Sequence, residues 1–353
     1  IKYLRPRDFR RGEMEEIMQG YKTHVQSGIL LNANEASQNV NETVKQEIID
    51  AISNLSLNRY PDTTCHQLHR LYAEVMNVPS SWILSGNGSD QMLGFLIQYY
   101  LQENKILYTL SPDFSMYDYY VGLNHSKIEK YETNQDGSFD VEAFISNGKD
   151  KNVDMVLFSN PNNPTGHSIT LWEMKKISEA FKDIPVIFDE AYMEFGKESA
   201  VCLLKEYPNV FVCRTLSKAY GLAGIRCGFM ISSQVEKLSA LFIPYALSSV
   251  TQTIASVVLR HADEYKDTIA TIISERERMY QEVKEFKQLT MYPSNANFLF
   301  GRSEKKDLLL AMFKEKNITI RNYEDASFRI TIGTKEENEM VLDVLRRFEY
   351  ANS

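Results

Sequence analysis

Two hydrophobic periods alternate along the chain. Val44, Ile48, Ile49, Ile52 and Leu55 fall three and four residues apart within 43–55, and Leu68, Leu71, Tyr72, Val75 and Met76 do so within 67–78. Both spacings predict amphipathic helices. Short apolar runs at 105–110, 153–159, 185–188, 210–213 and 227–231 have the length of buried strands, and each ends in a turn signal. Most lead into a helix-period stretch, as in a largely parallel, helix-covered sheet. From about residue 251 the pattern changes. A long helix to about 288 is predicted, then a strand at 296–300, a helix at 305–316, strands at 318–321 and 328–332, and a closing helix at 335–348. The fold class is therefore α/β. It comprises an N-terminal arm (1–43), a large domain with a mostly parallel sheet (44–247) and a smaller α+β C-terminal domain (248–353).

Composition narrows the function classes. The net charge of −8 and the lack of a basic block disfavour a nucleic-acid surface, and the stretch from Arg5 to Arg11 is short and interrupted by Asp8. No apolar run approaches the about 18 residues of a membrane span. The first residues carry no apolar core or cleavage site of a secretory signal, and the chain starts at Ile1 rather than Met, as a piece of a longer protein would. Cys65, Cys202, Cys213 and Cys227 are scattered without a CxxC pair, which fits reduced thiols and a cytoplasmic enzyme. His66 and His69 beside Cys65 lack a further ligand pair, so they read as a solvated helix face and no metal is expected.

The decisive stretch is Thr215-Leu-Ser-Lys-Ala-Tyr-Gly-Leu-Ala-Gly-Ile-Arg-Cys-Gly228, where Lys218 and Arg226 stand eight residues apart after an apolar strand. A lysine among small residues and near an arginine suits an aldehyde cofactor that carries a phosphate. The amine forms a Schiff base, while guanidinium and serine hydroxyl hold the anion. Three further segments fit the same chemistry. Asn160-Pro-Asn-Asn-Pro-Thr-Gly166 is a rigid turn after a strand, and it offers the Asn163 amide. Asp189, in Phe188-Asp-Glu-Ala-Tyr192, leaves a buried strand where a bare carboxylate is costly; it calls for a cation such as a protonated pyridine nitrogen, with Tyr192 near the ring oxygen. Ser85-Gly-Asn-Gly-Ser-Asp90 reads as a Gly-rich turn that presents N–H groups to phosphate at a helix start.

Together these motifs resemble the fold-type I, pyridoxal-phosphate-dependent aminotransferases of class I/II, closest to the histidinol-phosphate aminotransferase branch. Leu31-Asn-Ala-Asn-Glu35, Asn58-Arg-Tyr-Pro-Asp62, Leu216-Ser-Lys-Ala219 and Arg329-Ile-Thr-Ile-Gly-Thr334 carry that likeness as well. The resemblance implies pyridoxal 5'-phosphate on Lys218, with Lys218 also moving the substrate proton, Asp189 holding the ring nitrogen, and Asn163 and Tyr192 at the ring oxygen. It implies Phe114 on the ring face and Ser89, Asp90, Ser217 and Arg226 at the phosphate. Tyr60 would reach that phosphate across a homodimer interface, and the arm would pack on the small domain and the partner. Tyr21 is the tyrosine nearest to the family's amino-terminal substrate contact, at a different spacing from Asn32.

Substrate binding falls to Arg321 and Arg329, with Asn163 beside them. In Phe328-Arg-Ile-Thr-Ile332 the apolar residues share one strand face and leave Arg329 and Thr331 on the other. Two arginines aimed at one place favour a phosphate, a phosphonate or a carboxylate. The implied partners are thus a small amino donor, histidinol phosphate first, and a 2-oxo acid acceptor. The alternatives are 2-aminoethylphosphonate transamination, decarboxylation of a threonine-phosphate-like amino acid, and a non-enzymatic regulatory module that retains the cofactor.

Overall fold

The computed structural model describes residues 27–351. The basic stretch from Arg5 to Arg11 and Tyr21 lie outside the described residues. The strands are β1 (Ile29–Leu31), β2 (Ile83–Asn87), β3 (Ile106–Ser111), β4 (Lys127–Glu132), β5 (Met155–Ser159) and β6 (Val186–Asp189). They continue with β7 (Val210–Thr215), β8 (Cys227–Ile231), β9 (Thr290–Tyr292), β10 (Phe298–Arg302), β11 (Ile318–Asn322) and β12 (Ser327–Thr331).

Seven strands form one sheet in the order β2-β8-β7-β6-β5-β3-β4, and five form a second in the order β1-β11-β12-β10-β9. In the larger sheet β8 alone runs against its neighbours β2 and β7. Alternation sorts the side chains of the central strands. Leu107, Met155, Leu157, Ile187, Phe211 and Met230 pack with Met92, Leu93 and Leu96 of the helix Gly88–Tyr100 on one face. Tyr108, Val156, Phe158, Val186, Phe188 and Val212 enter the larger core on the other. A sheet covered on both faces gives the near-continuous apolar runs seen in the sequence.

Several elements differ from the sequence reading, each for a physical reason. The stretch Ser85–Asp90 is not a turn. Ser85, Gly86 and Asn87 continue β2 opposite Phe229, Gly228 and Cys227, and the helix starts directly at Gly88. A side chain at Gly228 would collide with the Ser89 backbone nitrogen, so the glycine permits this close approach. Strand β4, absent from the sequence reading, is the outer strand of its sheet, and its charged residues suit an edge. Strands β1 and β9 have three residues each; β1 exists through distant pairing, Ile29 with Ile318, and β9 through a hairpin with β10, Met291 with Gly301.

The long helix expected after 251 is two helices, Ser249–Arg260 and Tyr265–Val283, broken at His261. Ser248 caps the first, accepting the Thr251 N–H at 3.0 Å. His69 is not on a solvated face. Its ring is half-buried, bonds the Ser85 hydroxyl at 2.9 Å, and is pushed down to about 4 by burial. Arg276, on the second helix, is buried and donates to Phe195 O at 3.3 Å and Ala296 O at 2.9 Å, which fastens the two sheets' surroundings together.

Candidate active site

Strands β2, β3, β5, β6 and β7 all end at one edge of the large sheet, and the reversed β8 begins there. Residues far apart in sequence therefore meet around a cavity of about 110 Å³. Ser89, Asp90, Phe114, Asn163, Asp189, Tyr192, Ser217, Lys218 and Arg226 all line it. A wider cavity of about 980 Å³ shares Lys218, Asn163 and Tyr192 with it and opens toward Arg321 and Arg329 on the smaller sheet.

Asp189 ends β6 and is buried. The Tyr117 hydroxyl donates to its Oδ2 at 2.9 Å and the Ala191 N–H to its Oδ1 at 3.2 Å. Burial pushes the carboxyl up to about 7 despite those donors. No ion pair is made to Asp189 among the described residues, and a buried acid of this kind suits a cationic partner. Lys218 Nζ donates to Ala33 O at 3.0 Å and lies 5.7 Å from the centre of the Tyr192 ring. The Tyr192 hydroxyl accepts from Asn34 Nδ2 at 3.0 Å, and burial raises its pKa. Phe114 meets the Tyr117 ring edge-on at 5.7 Å.

At the opposite end Arg226 adopts a left-handed backbone with φ of 56° and extends between two helix-start residues and a serine. Its Nη2 donates to Asp90 Oδ2 at 2.7 Å and its Nη1 lies 3.5 Å from Ser217 Oγ. Gly88, with φ of 74°, leaves room for this guanidinium, which a Cβ there would strike. A helix N-terminus, two serine hydroxyls and an arginine form a cradle suited to a phosphate dianion. The carboxylate of Asp90 is itself anionic, so it orients Arg226.

The smaller sheet supplies the other wall. Arg321 on β11 stands in register with Arg329 on β12. Arg329 is 6% exposed; its Nη1 donates to Asn163 Oδ1 and its Nη2 to Asn32 O at 2.9 Å. Its Nε is buried without a partner, a donor held ready for an anion. As the alternation predicts, Phe328 and Ile330 enter the core while Arg329 reaches the cavity.

Tyr60 is the one predicted site residue that these cavities leave out. It is 82% exposed and stacks on Tyr245 at 4.7 Å. Sequence reasoning missed Tyr117, Ser159 and Asn34. Tyr117 lies three residues beyond Phe114, a helical spacing that could have pointed to it. Asn34 lies in the quoted Leu31-Asn-Ala-Asn-Glu35 motif, but its place in the site depends on a bond from its N–H to Thr331 Oγ1, 3.0 Å long and 297 residues away in sequence.

Residues 26–345 match the family model for aminotransferase class I and II, and the chain belongs to that family of aminotransferases. Among its relatives, histidinol-phosphate aminotransferases from Clostridium kluyveri and Pyrococcus furiosus are 33% and 34% identical to it, each over 325 residues. These alignments cover 90% and 91% of this chain and 92% of each relative. In fold, the chain is similar to the histidinol-phosphate aminotransferase from Sinorhizobium meliloti in complex with pyridoxal-5'-phosphate. The TM-score is 0.82 and the identity 21%, with 93% of this chain and 92% of that one covered. The L-threonine-O-3-phosphate decarboxylase from Porphyromonas gingivalis shares the fold with a TM-score of 0.77 and 20% identity, over 91% and 99% of the two chains.

Proposed function

We propose that this aminotransferase uses pyridoxal 5'-phosphate to move an amino group between a small phosphate- or phosphonate-bearing amine, histidinol phosphate first, and 2-oxoglutarate. One observation carries the reading. Lys218 lines one cavity together with a buried acid and a phosphate cradle, and lines a wider cavity together with two arginines of the other sheet. When bound, the cofactor supplies an aldehyde that condenses with amines and a cationic ring that withdraws electrons from the neighbouring carbon.

The chain's own residues do the rest. Asp189 would hold the proton on the ring nitrogen, and the Tyr117 hydroxyl, which donates to Asp189 Oδ2, keeps that carboxylate in line. Lys218 Nζ would serve as the base that takes the proton from the substrate carbon and gives it back. Phe114 covers one ring face, while Asn163 and Tyr192 frame the ring oxygen. Ser89, Ser217 and Arg226 hold the phosphate, and Asp90 fixes Arg226. Arg329 and Arg321 bind the anionic end of donor and acceptor in turn, so one cavity serves both half-reactions. Tyr60, exposed on its own chain, reaches the phosphate of a second copy in a homodimer. We assign the protein to the cytoplasm; no helix among the described residues is long and apolar enough to cross a membrane.

Borohydride reduction of the cofactor-loaded protein followed by peptide mapping tests the covalent step, with label expected on Lys218 and nowhere else. A donor panel of histidinol phosphate, 2-aminoethylphosphonate, threonine phosphate and aromatic amino acids, with 2-oxoglutarate as acceptor, tests the substrate. Histidinol phosphate should give the highest kcat/KM. Carbon dioxide release from threonine phosphate without glutamate formation would turn the reading to a decarboxylase.

A further inference from the structure

Asp113 precedes Phe114 and has no role in the chemistry set out above, yet several parts of the pocket converge on its carboxylate. Oδ1 accepts the Phe114 backbone N–H at 2.8 Å and the Ser159 hydroxyl. Oδ2 accepts the Ser159 N–H at 3.2 Å, with the Thr109 hydroxyl at 3.5 Å. Burial pushes the carboxyl up to about 8, although these donors favour its charged form. Because Ser159 gives its single proton to Asp113, its oxygen is left to accept the Asn163 N–H, at 2.9 Å. Asn163 Oδ1 then accepts from Arg329 Nη1. A relay of hydrogen bonds thus runs from Asp113 through Ser159 to the Asn163 backbone, whose side chain meets the arginine on the other sheet. Ser159 is also the register partner of Asp189 on the neighbouring strand, which places the relay directly beside the buried acid.

From this geometry we infer that Asp113 is a positioning residue joining the two halves of the site: it sets Phe114 against the ring and, through Ser159 and Asn163, aims Arg329 at the substrate's anionic group. The inference rests on the cofactor and substrate roles proposed above. This position must accept the Phe114 and Ser159 backbone N–H groups on two different oxygens. An amide would turn a donor toward the Ser159 N–H, and an apolar residue would leave the donors unmet.

The test compares Asp113→Ala, Asp113→Asn, Ser159→Ala and the Asp113→Ala/Ser159→Ala double variant with the parent, all as pyridoxal-phosphate-loaded proteins with their thermal melts recorded. Two readouts separate positioning from general stability: the visible circular dichroism of the bound cofactor, and the split between KM for 2-oxoglutarate and kcat. Asp113→Ala should change the dichroic band and raise KM about tenfold, the loss typical of one buried hydrogen-bonding partner, with a smaller fall in kcat. Asp113→Asn should recover part of both. The double variant should have the KM of Asp113→Ala, because both changes cut one relay. A folded Asp113→Ala protein with unchanged dichroism and KM, or effects that multiply in the double variant, would overturn the inference. Should the parent itself bind no cofactor or transfer no amino group, the proposed function is what fails.

Discussion

At the scale of single residues, the site depends on charges held where water cannot reach them. Asp189 keeps its proton up to about pH 7 in the folded protein, against an ordinary value of 3.8. Between those values the folded chain holds a proton that the unfolded chain has released, so this group costs the cofactor-free protein stability as pH rises from about 4 to about 7. Melting curves across that range should show a smaller loss for Asp189→Asn than for the parent. Added pyridoxal phosphate, whose ring nitrogen supplies a cationic partner, should remove the difference. Lys218→Ala should abolish both the visible absorbance of the bound cofactor and turnover; a variant that keeps both refutes the covalent role. Arg329→Ala should raise KM for donor and acceptor alike by about tenfold or more, because each loses a charge-assisted bond. Equal KM values for parent and variant would remove Arg329 from the substrate site. These residues were legible in the sequence because their chemistry is unusual for their position: a lysine among small residues, an acid at a buried strand end, an arginine on the polar side of an alternating strand. Tyr117 and Ser159 were not, since a tyrosine on an apolar helix face and a serine in a strand look like ordinary core.

At the scale of elements, the central strands and most helices followed from periodicity, while the short strands did not. β1 and β9 are too brief to show a period, and β4 hides its apolar positions among charges. Their existence is a property of the sheets that they join. The break at His261 was equally hidden, because apolar spacing continues through it. The structure shows what occupies the break. The His261 ring bonds Glu264 at 2.6 Å and Glu47 at 3.0 Å, which ties the helix Glu42–Ser53 to the junction. The hydrogen bonds to Glu264 and Glu47 raise the histidine's pKa above its ordinary value. A raised value means that the clasp contributes its full stability below about pH 6.5 and loses it as pH climbs through the folded-state value. His261→Ala should therefore lower Tm at pH 6 and have a smaller effect at pH 8.5. An equal drop at both would show that the ring acts by packing alone.

At the scale of the whole molecule, Tyr60 leads to a claim about assembly. It projects from its own subunit beside Tyr245, with Leu57, Leu241 and Ile243 also exposed. If it completes the phosphate site of a second copy, Lys218→Ala and Tyr60→Ala chains should each have low activity alone. Mixing and refolding them should restore activity, since half of the sites in a hybrid dimer combine an intact lysine with an intact tyrosine. No recovery in a verified hybrid would confine the site to one subunit.

The 297-residue link between Asn34 and Thr331 also bears on how the protein is made. Lys218 emerges from the ribosome well before the strand that carries Arg329, so, on the roles proposed for them, a partly synthesised chain has the amine without the wall that reads the substrate. The proposed roles then separate vitamin capture from substrate discrimination in time, the second waiting for the last strand of the smaller sheet.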